Sequence, residues 1–228
     1  MSLRRVIVPA TMTGRELLRR HVAMGLLTGL PLAFYICSVS QGPHHAAVTG
    51  GIAMAFSVAG ASIFAALTAR PVDQRLVLAG YRPFELLLGR LLFLELFGVV
   101  ISTLFSVIMV LGTGPQHPVV LGIGVELVAA ISVPFGLAVG ALAPHELEGV
   151  LMLIGVVGIQ LTLDSTQTIA KLLPFWGAQR VISYAVDVTA WTSVAPLAAL
   201  VYPSLLLAVA AYIAHARAPA VRSIGAAT

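Results

Sequence analysis

Very little of this sequence is charged. Only 10% of its 228 residues are Asp, Glu, Lys or Arg, against about 25% in an ordinary soluble domain. A water-soluble globule of this length could not cover its surface with so few charges. Cysteine is almost absent as well. Cys37 stands alone, which excludes a disulfide framework and a CxxC metal site and leaves it as a small packing residue in an apolar stretch. There is no GxxxxGK[ST] loop to cradle phosphates and no acidic Walker B strand end, so the chain cannot hydrolyse ATP by itself. It also lacks a long repeat, a low-complexity tract and an interdomain linker. Residues 1–228 read as one domain.

What remains is apolar. Hydrophobic residues make up 59% of the chain and the mean hydropathy is +1.00, so lipid is the expected solvent. Six windows reach or approach the roughly 20 residues needed to cross about 30 Å of hydrocarbon: 22–39, 46–69, 91–112, 119–143, 147–163 and 191–214. The fifth is the shortest and carries Glu148 near its start, so five spans is the rival count. The predicted class is an all-α integral membrane protein with six transmembrane helices.

The basic residues give an orientation. Arg4, Arg5, Arg15, Arg19 and Arg20 precede the first window. Arg70, Arg75, Arg82 and Arg90 lie between the second and third, and Arg217 and Arg222 follow the last. Only Lys171 and Arg180 fall on the other side. The positive-inside rule then places both termini and loop 70–90 in the cytoplasm, and closing that pattern takes an even number of spans. The location that follows is the plasma membrane, multi-pass. The basic charge is thus a topology signal and not a nucleic-acid surface.

Before the first span, Thr13-Gly14-Arg15-Glu16 has the form of a capping box, with Glu16 and Arg20 spaced as an i,i+4 pair. An amphipathic interface helix is expected over 11–21, with Leu17 and Leu18 on its apolar side. The basic region and the apolar run up to Ser38-Val39-Ser40 imitate a cleaved leader. The length of the basic region, with its own helix signal, argues for an uncleaved span.

The stretch RPVDQRLVLAGYRPFELLLGR, residues 70–90, is the most informative. Pro71 can start a short helix, with Asp73 suited to the positive end of its dipole. Gly80 offers a left-handed stop. Pro83 can then begin a second helix, with Glu85 two residues later, leading into the third span. A cytoplasmic helix held this tightly between two spans would act as a lever. The rival is an interfacial loop whose charges only fix topology.

The run Arg75-Leu76-x-x-x-Gly80-Tyr81-x-Pro83-x-Glu85-Leu86-x-x-Gly89-Arg90 resembles the cytoplasmic loop of ABC-2 type transporter permeases, the transmembrane subunits of ABC exporters. The resemblance implies a coupling helix that docks on a separate ATP-binding subunit. Arg75, Leu76, Leu78, Gly80, Tyr81 and Arg82 would be its contact residues. It also implies a second permease subunit, identical or homologous, and external re-entrant helices in segment 164–190 before the last span. No cofactor would be bound by this chain; ATP and magnesium would sit on the partner ATPase. The implied activity is export of an amphipathic or lipophilic compound such as a drug, an antibiotic or a lipid-like molecule.

Ionisable and strongly polar groups inside spans are costly and are functional candidates by default. Glu126 and Gln160 are therefore candidate substrate-pathway residues, with helix-to-helix hydrogen bonding the competing use for Gln160. Glu95 is expected to pair with Arg90 or Arg70. A proton-coupled secondary transporter using Glu126 is the alternative function, disfavoured because there is no inverted repeat. Gly25-x-x-x-Gly29 and Gly136-x-x-x-Gly140 permit close helix approach. His44, His45 and His117 share no ligand-like spacing with a carboxylate, so a metal site is not expected. His145, Glu146 and Glu148 are too poorly aligned on one helix face to suggest an enzyme.

Overall fold

The computed structural model describes residues 4–19, 21–187 and 194–225, with side chains described at 8–15, 25, 27–187 and 194–213. Every described element is helical. The helices are α1 (Arg4–Arg19), α2 (His21–Val39), α3 (Pro43–Leu78), α4 (Pro83–Thr113), α5 (Pro118–Leu142), α6 (Glu146–Thr162), α7 (Trp176–Val186) and α8 (Ala195–Gly225), with a 3₁₀ turn at Ile169–Leu172. Four stretches are long and apolar enough to cross a membrane: Pro43–Leu78, Pro83–Thr113, Pro118–Leu142 and Ala195–Ile213. The shorter apolar stretch Leu27–Val39 and the 17-residue α6 overlap the first and fifth windows but fall short of that length.

Helix α3 is the centre of the bundle. In its most apolar stretch 83% of residues are buried, against 11% in α8. Small residues make this possible, since Ala46, Ala47, Ala53, Ala55, Ala59 and Ala61 are all buried and let neighbours approach. The α5 glycine pair is used in this way. A Cβ on Gly136 would collide with the Ala59 carbonyl, and one on Gly140 would lie 2.7 Å from Ala66 Cβ. By contrast, Gly25 and Gly29 on α2 meet nothing within 4 Å among the described residues. Helix α2 reaches α3 elsewhere, through stacked Phe34 and Phe56 with centroids 5.7 Å apart and a hydrogen bond donated by Ser57 Oγ to the Leu27 carbonyl. The outward faces of α4 and α8 carry exposed Leu96, Leu104, Leu111, Leu197, Leu200 and Leu205. That pattern suits a hydrocarbon surrounding, because water would penalise so broad an apolar face.

Four expectations change. Pro71 lies inside α3 and starts nothing. The helix runs 36 residues, about 54 Å at 1.5 Å per residue, far beyond a hydrocarbon core of about 30 Å. The predicted transverse helix is therefore the projecting end of α3. Thr13 is interior to α1 and its hydroxyl donates to the Pro9 carbonyl at 2.9 Å, so it caps no helix start. Helix α1 begins at Arg4 instead of residue 11 and lies on α4, where Gly14 abuts the Phe93 ring. Cys37 is exposed on α2 and packs no core. The Glu16–Arg20 pair, Leu17, Leu18 and the Trp191 start of the last window lie outside the residues described at side-chain level.

Candidate functional site

Residues 70–90 form the tip of a helical hairpin, built by local rules that were readable beforehand. Helix α3 stops because Gly80 adopts φ 91°, a conformation a residue with a Cβ rarely takes. The Gly80 N–H then donates to Val77 at 3.1 Å and the Tyr81 N–H to Leu76 at 3.0 Å, the paired bonds of a Schellman ending. Pro83 occupies the first turn of α4, where its missing N–H costs nothing. The Glu85 carboxylate accepts from the Arg82 N–H at 3.1 Å, securing the start of α4. Arg75, Leu78, Gly80 and Arg82 are exposed at this tip, and Leu76 and Tyr81 are half-buried. The structure thus brings the six candidate contact residues together on one protrusion.

Two arginines tie the tip to the bundle. Arg90 is buried at 7% exposure, and its Nη2 donates to both carboxylate oxygens of Asp73 at 2.9 Å. This bridge fastens α4 to α3 about two helical turns below the tip. Arg70 reaches the end of α5, donating to the carbonyls of Gly140 at 2.6 Å, Ala141 at 3.4 Å and Pro144 at 3.2 Å, and also to that of Ala143. The last carbonyls of a helix have no partner within the helix and carry its negative dipole end, so a guanidinium there satisfies both needs. Glu95 makes no ion pair with either arginine among the described residues; Arg90 bonds Asp73 and Arg70 bonds the end of α5. The same geometry corrects the role of Asp73, which is an ion-pair partner within α3 and not a helix-start residue.

Beside these arginines lies a cavity of about 190 Å³. Its polar wall is Arg70, Asp73, Gln74 and Arg90, and its apolar wall includes Leu86, Leu137, Ala210 and Ile213. The cavity lies where α3, α5 and α8 approach their C-terminal ends and where α4 begins, so α4 runs against the other three.

Glu126 and Gln160 sit in different surroundings. Glu126, half-buried on α5, accepts a hydrogen bond from Thr103 of α4 at 2.8 Å. Gln160 on α6 is fully buried, and its amide donates to Gln179 of α7 while its Oε1 has no hydrogen-bond partner among the described residues. Sequence spacing gave no sign of Gln179; its signal is a polar residue on the inner face of the amphipathic segment.

The described part of segment 164–190 is a folded cap. Ile182 of α7 sits between Gly51 of α3 and Gly124 of α5, each of whose Cβ positions would fall 2.6 Å from its side chain. Trp176 Nε1 donates to the Ser165 carbonyl at 2.8 Å, and Tyr202 Oη to the Lys171 carbonyl at 2.6 Å. His117 stacks on Tyr184 with centroids 5.5 Å apart. Asp164 lies outside the spans, and the Thr166 backbone N–H, 2.9 Å away, holds its carboxyl below the usual carboxylate range, helped by the Thr166 hydroxyl and Arg180. Among the described residues no three His, Cys, Asp or Glu cluster as metal ligands would.

These features define a class: an all-helical protein with four helices fit to cross a membrane and a polar hairpin at one end of the bundle. Compared with protein-family models and with curated proteins, the chain matches none.

Proposed function

We propose that the chain is the transmembrane subunit of an ABC-2 type exporter, driven by a separate ATP-binding subunit. The observation that carries this reading is the braced tip. Residues 75–82 present exposed basic and apolar groups, while Arg90–Asp73 and the Arg70 bonds to α5 connect them to three helices. A push on such a tip must move α3, α4 and α5 together, which is the property a coupling element needs. In this reading α2 and α6 complete six spans. Both termini and the tip lie in the cytoplasm, as the arginine distribution favours, with the bundle in the plasma membrane. A second permease, identical or homologous, supplies the other half of the path, and lipids surround it. The 164–190 segment caps the external end of that path. The cargo is an amphipathic or lipophilic compound, in keeping with the apolar spans, and no nucleic acid is involved. ATP and magnesium belong to the partner.

The test is co-purification with the ATPase of a neighbouring gene, followed by transport in vesicles. Substitution of Gly80 or Tyr81 is expected to abolish ATP-driven transport while the bundle stays folded. Unchanged transport in these variants, with no co-purification, sinks the coupling reading.

One observation favours a second reading. Glu126, an acidic group within an apolar helix, accepts its hydrogen bond from a neutral hydroxyl and makes no ion pair among the described residues, and such intramembrane carboxylates mark proton relays in pumps and transporters. A proton-coupled secondary transporter would then work from a pH gradient without ATP.

A further inference from the structure

The cavity under the hairpin holds a buried cation with unspent donors. Arginine has five N–H donors. Arg90 directs Nη2 to Asp73, and its Nε, which has no accessible surface on the cavity side, has no hydrogen-bond partner among the described residues, so an incoming anion must draw the guanidinium toward the cavity to use it. Leaving a buried donor unsatisfied is costly, more so on a charged group. Two guanidiniums share this wall with a single carboxylate. The opposite wall is hydrocarbon from Leu86, Leu137, Ala210 and Ile213. A polar, cationic side facing an apolar side is complementary to an anionic amphiphile. The volume of about 190 Å³ is below the roughly 300–1,000 Å³ of pockets that enclose a whole drug-sized ligand. It has room for a headgroup and the first carbons attached to it.

We propose that this cavity binds the phosphate headgroup of an anionic membrane lipid, with a phosphate oxygen accepting from Arg90 and the lipid's apolar part against α5 and α8. A phosphate suits the site because guanidinium binds oxyanions through strong charge-assisted bonds. Asp73 and the phosphate compete for Arg90. An occupied site therefore loosens the bridge between α3 and α4 and softens the hairpin. The inference rests on the membrane placement of the bundle and not on coupling to an ATPase.

The experiment uses the purified full chain, delipidated in a neutral detergent, and follows its thermal unfolding midpoint. Phosphatidylglycerol, phosphatidylcholine and inorganic phosphate are titrated separately. Phosphatidylglycerol is expected to raise the midpoint saturably, with little effect from the other two. Arg90→Gln should raise the half-saturating concentration about tenfold, the equivalent of one charge-assisted hydrogen bond. Asp73→Asn should lower it, because it removes the competitor. Gln74→Trp, at an exposed position on the cavity wall, narrows the site without touching the ion pair and should weaken binding even if Arg90→Gln does not fold. Equal stabilisation by both lipids would mean unspecific solvation and overturn the proposal. Equal stabilisation by inorganic phosphate would make the ligand a free anion and overturn the lipid assignment. Binding that is indifferent to Gln74→Trp and Asp73→Asn would place it elsewhere. Because no ATPase is present, failure here leaves the exporter reading untouched, and failure of ATP coupling leaves this site intact.

Discussion

At one end of the bundle α3 and α4 meet through a charged bridge, Arg90 on Asp73, with Arg70 holding the end of α5. At the other, α7 is seated by Ile182 pressed between Gly51 and Gly124. The two fastenings respond differently to load. An ion pair is strong in place but can be exchanged for another anion or for water. A side chain between two backbones has no substitute partner, and it either fits or the helix leaves. The hairpin end is thus suited to being switched, and the α7 end to staying shut.

Substitutions can break this contrast. Gly124→Leu should have the largest effect, since even a Cβ there would lie 3.1 Å from the Ile182 backbone nitrogen. Overpacking of this kind costs about 3 kcal/mol, and α7 should come free, seen as new protease cleavage between 176 and 186. Arg90→Ala comes next. Breaking a buried ion pair costs about 3–5 kcal/mol, but Asp73 is 30% exposed and can regain water, so about 2 kcal/mol is expected in a denaturing-detergent titration. Gly80→Ala should cost about 1 kcal/mol through its positive φ, with the change confined to hydrogen exchange at 79–82. The smallest effect concerns pH. The depressed Asp164 carboxyl adds stability that is present above its unfolded value and is lost only as pH falls through its lower folded one. The unfolding midpoint should therefore differ between wild type and Asp164→Asn by the same small amount at pH 8 and pH 6, and converge only in strong acid.

How much of this was readable from the chain depends on the range of the interaction. The Gly80 stop and the Pro83 start were legible because each is decided within five residues by backbone chemistry. The α5 glycine pair was legible as a close-approach surface, though not its partner α3. Pro71 misled because a proline that begins a helix and one carried inside a long helix have the same local signature; packing decides between them. The Arg90–Asp73 bridge spans 17 residues across a turn, and Arg70 reaches carbonyls 70 to 74 residues away. No periodicity records either. Gln160 was picked out as a costly polar group, but its partner Gln179 emerges only when α7 folds back onto the bundle.

The most direct measurement is ATP hydrolysis by a candidate ABC-type ATPase from the same organism, titrated onto vesicles carrying this chain with its hairpin outward. Saturable binding and a stimulated rate are expected, both lost when Arg75 and Arg82 are changed together to Glu. Those positions are exposed at the tip and belong to neither the bridge nor the cavity, so the bundle should remain folded. A hydrolysis rate indifferent to the chain, in vesicles that transport when given only a pH gradient, would contradict the exporter reading and give the mechanism to Glu126.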